Sequence, residues 1–200
     1  AHVHGAVARV VDDALDVARF ARVHREVREG LAVGAVLHDE EVERARRTVG
    51  GGARLGLPQR FAPFAHLYRE AWQDAGHDLA ELRLSINSHG FIADTESQAA
   101  DDYYPGYMQM MNKIGRERGW QPITRQQYDF ARTLRGSDFV GTPDQVIEKI
   151  LFQHKIFGHH RFLLKLGLSS MDHKKMLRAI ELYGTVVAPA VRKAVAERSG

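Results

Sequence analysis

Two hydrophobic periodicities alternate along most of this chain. Apolar residues that recur at three- and four-residue steps are typical of amphipathic helices, and strict alternation is typical of a half-buried strand. Cap residues support the helical pattern: Thr142-Pro143 with Gln145, and Thr124 with Gln127, have the spacing of a capping box. The predicted helices cover residues 59–75, 95–118, 125–134, 143–157 and 172–196.

Three strands are predicted between these helices, over residues 82–93, 138–140 and 161–168. In the first strand, Leu82, Leu84 and Ile86 face the same way. The third strand is apolar almost throughout, which predicts a strand covered on both sides. Strands that alternate with helices imply a parallel sheet whose carboxyl ends lie on one rim.

The first fifty residues differ in composition from the rest. Residues 10–29 have helical spacing, and residues 39–48 are predicted to form a second, highly charged helix. The glycines at positions 50–52 then form a junction. We therefore expect two parts: a helical segment of uncertain origin over residues 1–51, and a main α/β domain over residues 52–200.

Composition narrows the class of protein. The chain has 200 residues, 44% hydrophobic and 26% charged, as in ordinary soluble globular proteins. It has no cysteine, which excludes a disulfide framework, a zinc–thiolate site and a thiol nucleophile in this sequence. No apolar run is long enough to cross a bilayer. These features predict a cytoplasmic location and no membrane partner.

The formal net charge of +3 raises the question of nucleic-acid binding. The basic residues are spread through helices of mixed sign, whereas nucleic-acid proteins concentrate them on one face. We therefore expect no nucleic-acid partner. A helical regulatory or nucleic-acid-binding module, suggested by the basic charge and the amino-terminal helix, remains the weakest of three alternatives.

Five blocks in sequence carry a family resemblance. They are RFAPFAHLYREAW, LRLSINSHGFIADTESQAADDYYPGY, MMNKIGRERGW, FVGTPDQVIEKIL and RFLLKLGLSSMDHKKMLRAIELYGTVVAPAVR. In this order and spacing they resemble the carboxy-terminal portion of bacterial luciferase-like flavin monooxygenases. No single block is specific, and the argument depends on their succession over about two-thirds of the chain.

This resemblance implies a TIM-like (β/α) barrel that binds reduced FMN, or the deazaflavin F420 in some branches. It implies the oxidation of a small-molecule substrate with O2. Members of the family are considerably longer, and the part that supplies the first barrel strands has no visible counterpart here. The expected fold is therefore α/β, a partial, incomplete TIM-like barrel with parallel strands and long helices.

The segment 87–90 (Asn-Ser-His-Gly) is the first candidate site, near the end of the first predicted strand. In a barrel, active-site groups lie at the carboxyl ends of strands. His89 is the candidate catalytic residue, because an imidazole can act as general acid or base near neutral pH. Ser88 and Gly90 are candidate cofactor contacts. The alternative is that His89 is a hydrogen-bonded core or rim residue.

Two further segments contain candidate cofactor contacts. Gly141 and Thr142 precede a helix, where backbone N–H groups favour an anion such as a flavin phosphate, although capping alone explains the pattern. Gly167 and Ser169 follow the last strand, where small residues leave room for a ligand, although an ordinary loop is the simpler interpretation. His159 and His160 would point to opposite faces of a strand, so no metal site is predicted.

The missing strands leave two main functional hypotheses. The first is a flavin-dependent oxidoreductase. The second is a catalytically incomplete barrel fragment that acts as an assembly or dimerisation module. Open sheet edges invite pairing with another chain, so we expect a homo-oligomer. Substrate identity cannot be predicted from the residues present.

Overall fold

A parallel three-stranded sheet forms the centre of the molecule. The computed structural model describes residues 57–167 and 171–199, so the predicted segment 1–51 and its boundary lie outside the described residues. The strands are β1 (Ser85–Ile92), β2 (Phe139–Gly141) and β3 (Arg161–Lys165). Both pairings are parallel, which confirms the predicted α/β class and strand direction.

The sheet order is β2-β1-β3, with the longest strand in the middle. The first part of β1 pairs with β3, from Ser85–Arg161 to His89–Lys165. The last part pairs with β2, from Gly90–Phe139 to Ile92–Gly141. In a closed (β/α)8 barrel, consecutive strands are neighbours. The order β2-β1-β3 differs from that arrangement, because β1 lies between β2 and β3 in the described residues.

Helices connect and flank the strands in the described residues. A 3-10 turn at Pro58–Phe61 leads into the first helix, and Gly76, with a positive φ of 78°, follows the end of that helix. The helices are α1 (Ala62–Asp74), α2 (Glu96–Arg118), α3 (Arg125–Arg132), α4 (Pro143–Phe157), α5 (His173–Leu182) and α6 (Ala188–Ser199).

Side-chain caps fix where these helices begin. Thr95 caps α2 by accepting a hydrogen bond from the Gln98 N–H. The predicted capping boxes at Thr124 and Thr142 are both present, before α3 and α4. Each satisfies backbone donors that the first helical turn leaves without partners. The α2 helix continues through Pro105 as one element.

The last predicted helix is interrupted. A π-helical turn at Tyr183–Val187 separates α5 from α6. Pro189 follows directly and has no N–H to donate to the preceding turn, which gives a physical reason for the widened turn. The helical spacing predicts one apolar stripe of Met176, Ile180, Tyr183, Val187 and Val191. This prediction is wrong at Ile180, which is 49% exposed, because Ala179 and Leu182 form the buried face of α5 instead.

Two apolar clusters hold the sheet against the helices. The larger cluster joins the end of β1 and two residues of β2, Phe139 and Val140, to α2, α3, α4 and α5. The smaller one joins α1 and the end of α4 to the start of β1. It contains Leu82, Leu84 and Ile86, the three residues predicted to share a face, together with Ala65, Tyr68 and Phe157.

Strand β3 differs from its prediction. Its residues alternate between exposed and half-buried, and Leu163 is 45% exposed. The expectation of a strand covered on both sides is therefore wrong for the described residues. An apolar sequence reports the tendency of a strand to be buried, whereas actual burial depends on the neighbouring layers. None of the helices within 57–167 and 171–199 is long and apolar enough to cross a membrane.

Candidate active site

The predicted site residues lie at different levels along the sheet. His89 is inside β1 and level with Lys165, the last residue of β3. Gly141 is level with Ile92, three residues further along β1, or about 10 Å at the rise of a parallel strand. Gly167 is exposed after β3, with open space around it. Ser169 lies outside the described residues.

The three consecutive candidates of β1 do not share a face. Successive residues of a strand point to opposite faces, and paired residues of neighbouring strands share a face. Ser88 pairs with Leu164, whereas His89 pairs with Lys165. The structure therefore places Ser88 and Gly90 on one face of the sheet and His89 on the other.

Gly90 lies where two neighbouring strands approach β1. A Cβ atom at this position would collide with the Phe139 carbonyl oxygen and with the Leu164 side chain. The backbone oxygen cannot move without disturbing β2. The absence of a side chain at Gly90 thus allows the close packing of β1 against both neighbours.

Capping groups occupy the turn from β2 to α4. The Thr142 N–H donates to Gln145 Oε1 at 2.9 Å, and the Gln145 N–H donates to Thr142 Oγ1 at 3.4 Å. The Gln145 side chain also fills the space beside Gly141. Asp144 adds a negative charge in the first helical turn. Among the described residues, this turn has few free donors for a phosphate.

His89 is the best-placed candidate for chemistry. Its ring is half-buried, and Nδ1 is buried without a hydrogen-bond partner in the described residues. Burial lowers the pKa of the His89 imidazole below its usual range, and the positive charge of Lys165 lowers that pKa further. The ring is therefore neutral at neutral pH, with one donor and one acceptor nitrogen.

Lys165 is a functional candidate that the sequence did not indicate. It becomes a neighbour of His89 only through the β1–β3 register, so finding it requires the strand pairing. It is exposed at the end of β3, on the same side of the sheet as the imidazole. This pair of residues combines a neutral hydrogen-bonding ring with a fixed positive charge.

A second unpredicted feature lies just beyond β1. The Arg178 guanidinium of α5 donates to Asp94 Oδ1 at 2.7 Å and to Glu181 Oε2 at 2.9 Å. The Arg178 hydrogen bond holds the pKa of the Asp94 carboxyl below its usual range. All three side chains are largely exposed, so this link contributes modestly to stability. The carboxylates of Asp94 and Glu181 already neutralise the charge of the Arg178 guanidinium.

Known proteins give the chain relatives with a stated chemistry. The 4-hydroxyprotoasukamycin monooxygenase of Streptomyces nodosus subsp. asukaensis is 30% identical over 116 residues, which are 56% of this chain and 31% of that protein. No protein-family model matches the chain. The chain thus spans under a third of this curated relative.

A solved structure shares the fold. Monooxygenase RslO1 from Streptomyces bottropensis matches with a TM-score of 0.53 at 18% identity, over 68% of this chain and 39% of that chain. A type II Baeyer-Villiger monooxygenase, the oxygenating constituent of 3,6-diketocamphane monooxygenase from Pseudomonas putida in complex with FMN, gives 0.47 at 21% identity, over 67% and 40%. The resemblance to the luciferase-like flavin monooxygenases that the five sequence blocks predict is thus confirmed.

Proposed function

We propose that this chain is part of a flavin-dependent monooxygenase of the luciferase-like type. It would oxidise a small organic substrate with reduced FMN, or with F420 as the alternative cofactor, and O2. The observation that carries the proposal is the ordered succession of family blocks, supported by 30% identity to a monooxygenase over 116 residues. We also propose that the three parallel strands are part of a TIM-like barrel that other residues complete.

The described residues fit such a cofactor in part. A bound reduced flavin supplies the electrons that activate O2, while the protein positions it and excludes water. The His89 imidazole is half-buried with Nδ1 inside, so Nε2 is the nitrogen that suits the polar edge of a ring system. The turn at Thr142 does not suit the phosphate, because its first donors are used in capping. We therefore assign His89, and not the β2–α4 turn, to the ligand.

His89 is proposed to hydrogen-bond the ligand and to move a proton. Burial and the charge of Lys165 both favour the neutral ring, which has one donor and one acceptor nitrogen. With Nε2 protonated, the ring donates a hydrogen bond to the ligand; in the other tautomer, Nε2 accepts a proton as a general base. Ser88 and Gly90 face the other side of the sheet, and contact with the same ligand would need a cofactor that wraps around the strand.

Equilibrium binding and turnover test this proposal. The full chain is mixed with FMN, and separately with F420, and quenching of cofactor fluorescence is measured. Riboflavin, which lacks the phosphate, is the matched control for FMN. We expect binding of one cofactor and similar affinity for riboflavin and FMN. We also expect a substrate-dependent turnover that His89→Phe lowers about a hundredfold, the low end of the range for general acid–base catalysis. Absence of binding by both cofactors would contradict the proposal.

A second candidate function is favoured by the edge strand. In the described residues β3 pairs with β1 alone, and Leu163 on it is 45% exposed. An incomplete barrel that covers this edge with another copy would act as an assembly or dimerisation module. Sedimentation analysis distinguishes the two: a flavin-binding monomer favours the enzyme, and a stable oligomer that ignores both cofactors favours the module.

A further inference from the structure

One face of the β1–β3 pair carries positive charge and no negative charge. Three pairs of residues in register share this face, and their side chains include polar, apolar and basic groups. They are Ser85 with Arg161, Asn87 with Leu163, and His89 with Lys165. Asn87, Arg161, Leu163 and Lys165 are exposed, while Ser85 and His89 are half-buried. Side chains of this face are therefore open to a ligand.

The two basic groups of this face lack carboxylate partners within residues 57–167 and 171–199. Elsewhere in the described chain, Lys175 lies 2.7 Å from Asp102 and Arg178 lies 2.7 Å from Asp94. Arg161 and Lys165 form no such ion pair in those ranges. Their charges are thus available to an anion, and no acidic side chain of the same face competes for them.

The imidazole beside Lys165 adds a directional hydrogen bond. Nδ1 of His89 is buried and unpartnered, which leaves Nε2 as the ring nitrogen that a ligand can reach. Leu163 lies one position away on the same face of β3 and offers apolar contact. The charged group of Lys165, the hydrogen-bonding ring of His89 and the apolar side chain of Leu163 are therefore neighbours on this face.

We propose that this face binds a small organic anion, with its charge held by Lys165 Nζ, a hydrogen bond from His89 Nε2 and its carbon skeleton against Leu163. A small organic anion would then be the substrate class of the proposed monooxygenase, and its role in catalysis rests on that proposed function. Binding itself requires no cofactor. A charge-assisted hydrogen bond contributes enough to change affinity by about tenfold.

A pair of matched probes tests the proposal. Benzoate and benzamide have the same ring and differ in charge. Each is titrated into the full chain while the His89 Cε1–H signal is followed by NMR. We expect benzoate to shift this signal saturably and to bind about tenfold more tightly than benzamide. Equal responses to the two probes, or no response to benzoate at millimolar concentration, overturn the proposal.

Two variants of β3 show which basic residue holds the anionic group of the ligand. Lys165→Met is expected to weaken benzoate by about tenfold and to raise the pKa of His89, because the neighbouring charge that lowers it is removed. Arg161→Met removes an equal charge four residues away, about 13 Å along the strand, and is expected to change neither property by more than about twofold. If both variants behave alike, Lys165 has no specific role and the proposal is wrong.

The outcomes separate this inference from the proposed function. Failure to bind FMN and F420 ends the monooxygenase proposal, whereas the benzoate response at His89 is measured without either cofactor. A chain that binds flavin but shows no preference for benzoate keeps the proposed function and loses this inference. Circular dichroism of each variant confirms that the fold is retained before the affinities are compared.

Discussion

Strands β2 and β3 flank the same central strand, yet they have opposite surroundings. All three residues of β2 are buried, and Phe139 is fully inaccessible. The five residues of β3 are half-buried or exposed in the described structure. The centre of β3, Phe162 to Leu164, is as apolar as β2, although Arg161 and Lys165 flank it. The difference teaches that the layers around a strand, and not only its hydrophobicity, determine its burial here.

A buried lysine explains how β2 is enclosed. Lys149 of α4 is 3% exposed, and its ammonium donates to three carbonyl oxygens, of Ala131 at 3.0 Å, Thr133 at 2.6 Å and Asp138 at 2.6 Å. An ammonium group has three donors, and all three are used. They join the end of α3 and the entry to β2 to the helix that follows. In the described residues β3 receives one side-chain hydrogen bond, from the Tyr183 hydroxyl to the Phe162 carbonyl oxygen at 3.4 Å.

Truncating one apolar side chain in each outer strand gives the largest contrast. Phe139→Ala removes a fully buried ring that packs 4.6 Å from the Phe162 ring and 5.2 Å from Lys149 Nζ. We expect a loss of about 3–5 kcal/mol in the free energy of unfolding, as for other buried Phe→Ala changes. Leu163→Ala should cost about 0.5 kcal/mol or less, as at other exposed positions.

Urea unfolding of the two variants and the parent measures both effects at one pH and one protein concentration. A large loss for Leu163→Ala would mean that the outer side of β3 is covered in solution, by another copy or by residues outside the described ranges. Repeating the measurement at several protein concentrations separates these cases, because stability from an interface between copies depends on concentration.

Lys149→Met tests the attachment of β2 itself. The change leaves three carbonyl oxygens without their donor and removes the positive charge near the buried Asp138 carboxyl. Burial lowers the pKa of the Lys149 ammonium to about 7, and burial raises the pKa of the Asp138 carboxyl. Because a buried acceptor left without a partner costs about 1–3 kcal/mol, we expect a loss of about 3 kcal/mol in the free energy of unfolding.

The double variant with Asp138→Asn gives the necessary comparison for Lys149→Met. If the two groups act together, the double variant is more stable than the sum of the single changes predicts. Strict additivity would show that the Lys149 ammonium acts on the carbonyl oxygens alone. A loss below about 1 kcal/mol for Lys149→Met would contradict the idea that this lysine encloses β2.

Local signals made the helices and their starts predictable. The capping boxes at Thr124 and Thr142 each depend on residues three apart, so the sequence contains all the information needed. The same holds for Gly158, which ends α4 with a positive φ of 57°. The π-helical turn at Tyr183–Val187 was not predicted, because a smooth helical pattern continues through it.

The candidate site was predicted less completely because it depends on pairing between distant segments. His89 was found from its residue type and its position in a strand. Its partner Lys165 could not be found, since a register shift of one residue would place another side chain beside the imidazole. The burial of Lys149 was likewise hidden, since a lysine in an amphipathic helix is normally a surface residue.

Acid is expected to lower the free energy of unfolding through His159, which lies just before β3. This effect is smaller than those expected for Phe139→Ala and Lys149→Met. This histidine is 5% exposed just before β3, and its ring lies 5.3 Å from the His154 ring. Burial lowers the pKa of His159 from 6.5 to about 4. The unfolded chain therefore binds more protons between these values, and stability falls as the pH is lowered through this window.

The expected loss through His159 is about 2 kcal/mol between pH 7 and pH 5, since the folded protein cannot take up the proton that the unfolded chain binds. Urea midpoints across this pH range measure it. His159→Phe should reduce the pH dependence, and His89, whose pKa burial also lowers, should retain part of it. His66→Gln, at an exposed histidine, is the control. If His159→Phe keeps the full acid sensitivity, another group is responsible for the titration. The acid sensitivity would then not belong to the β3 side of the sheet.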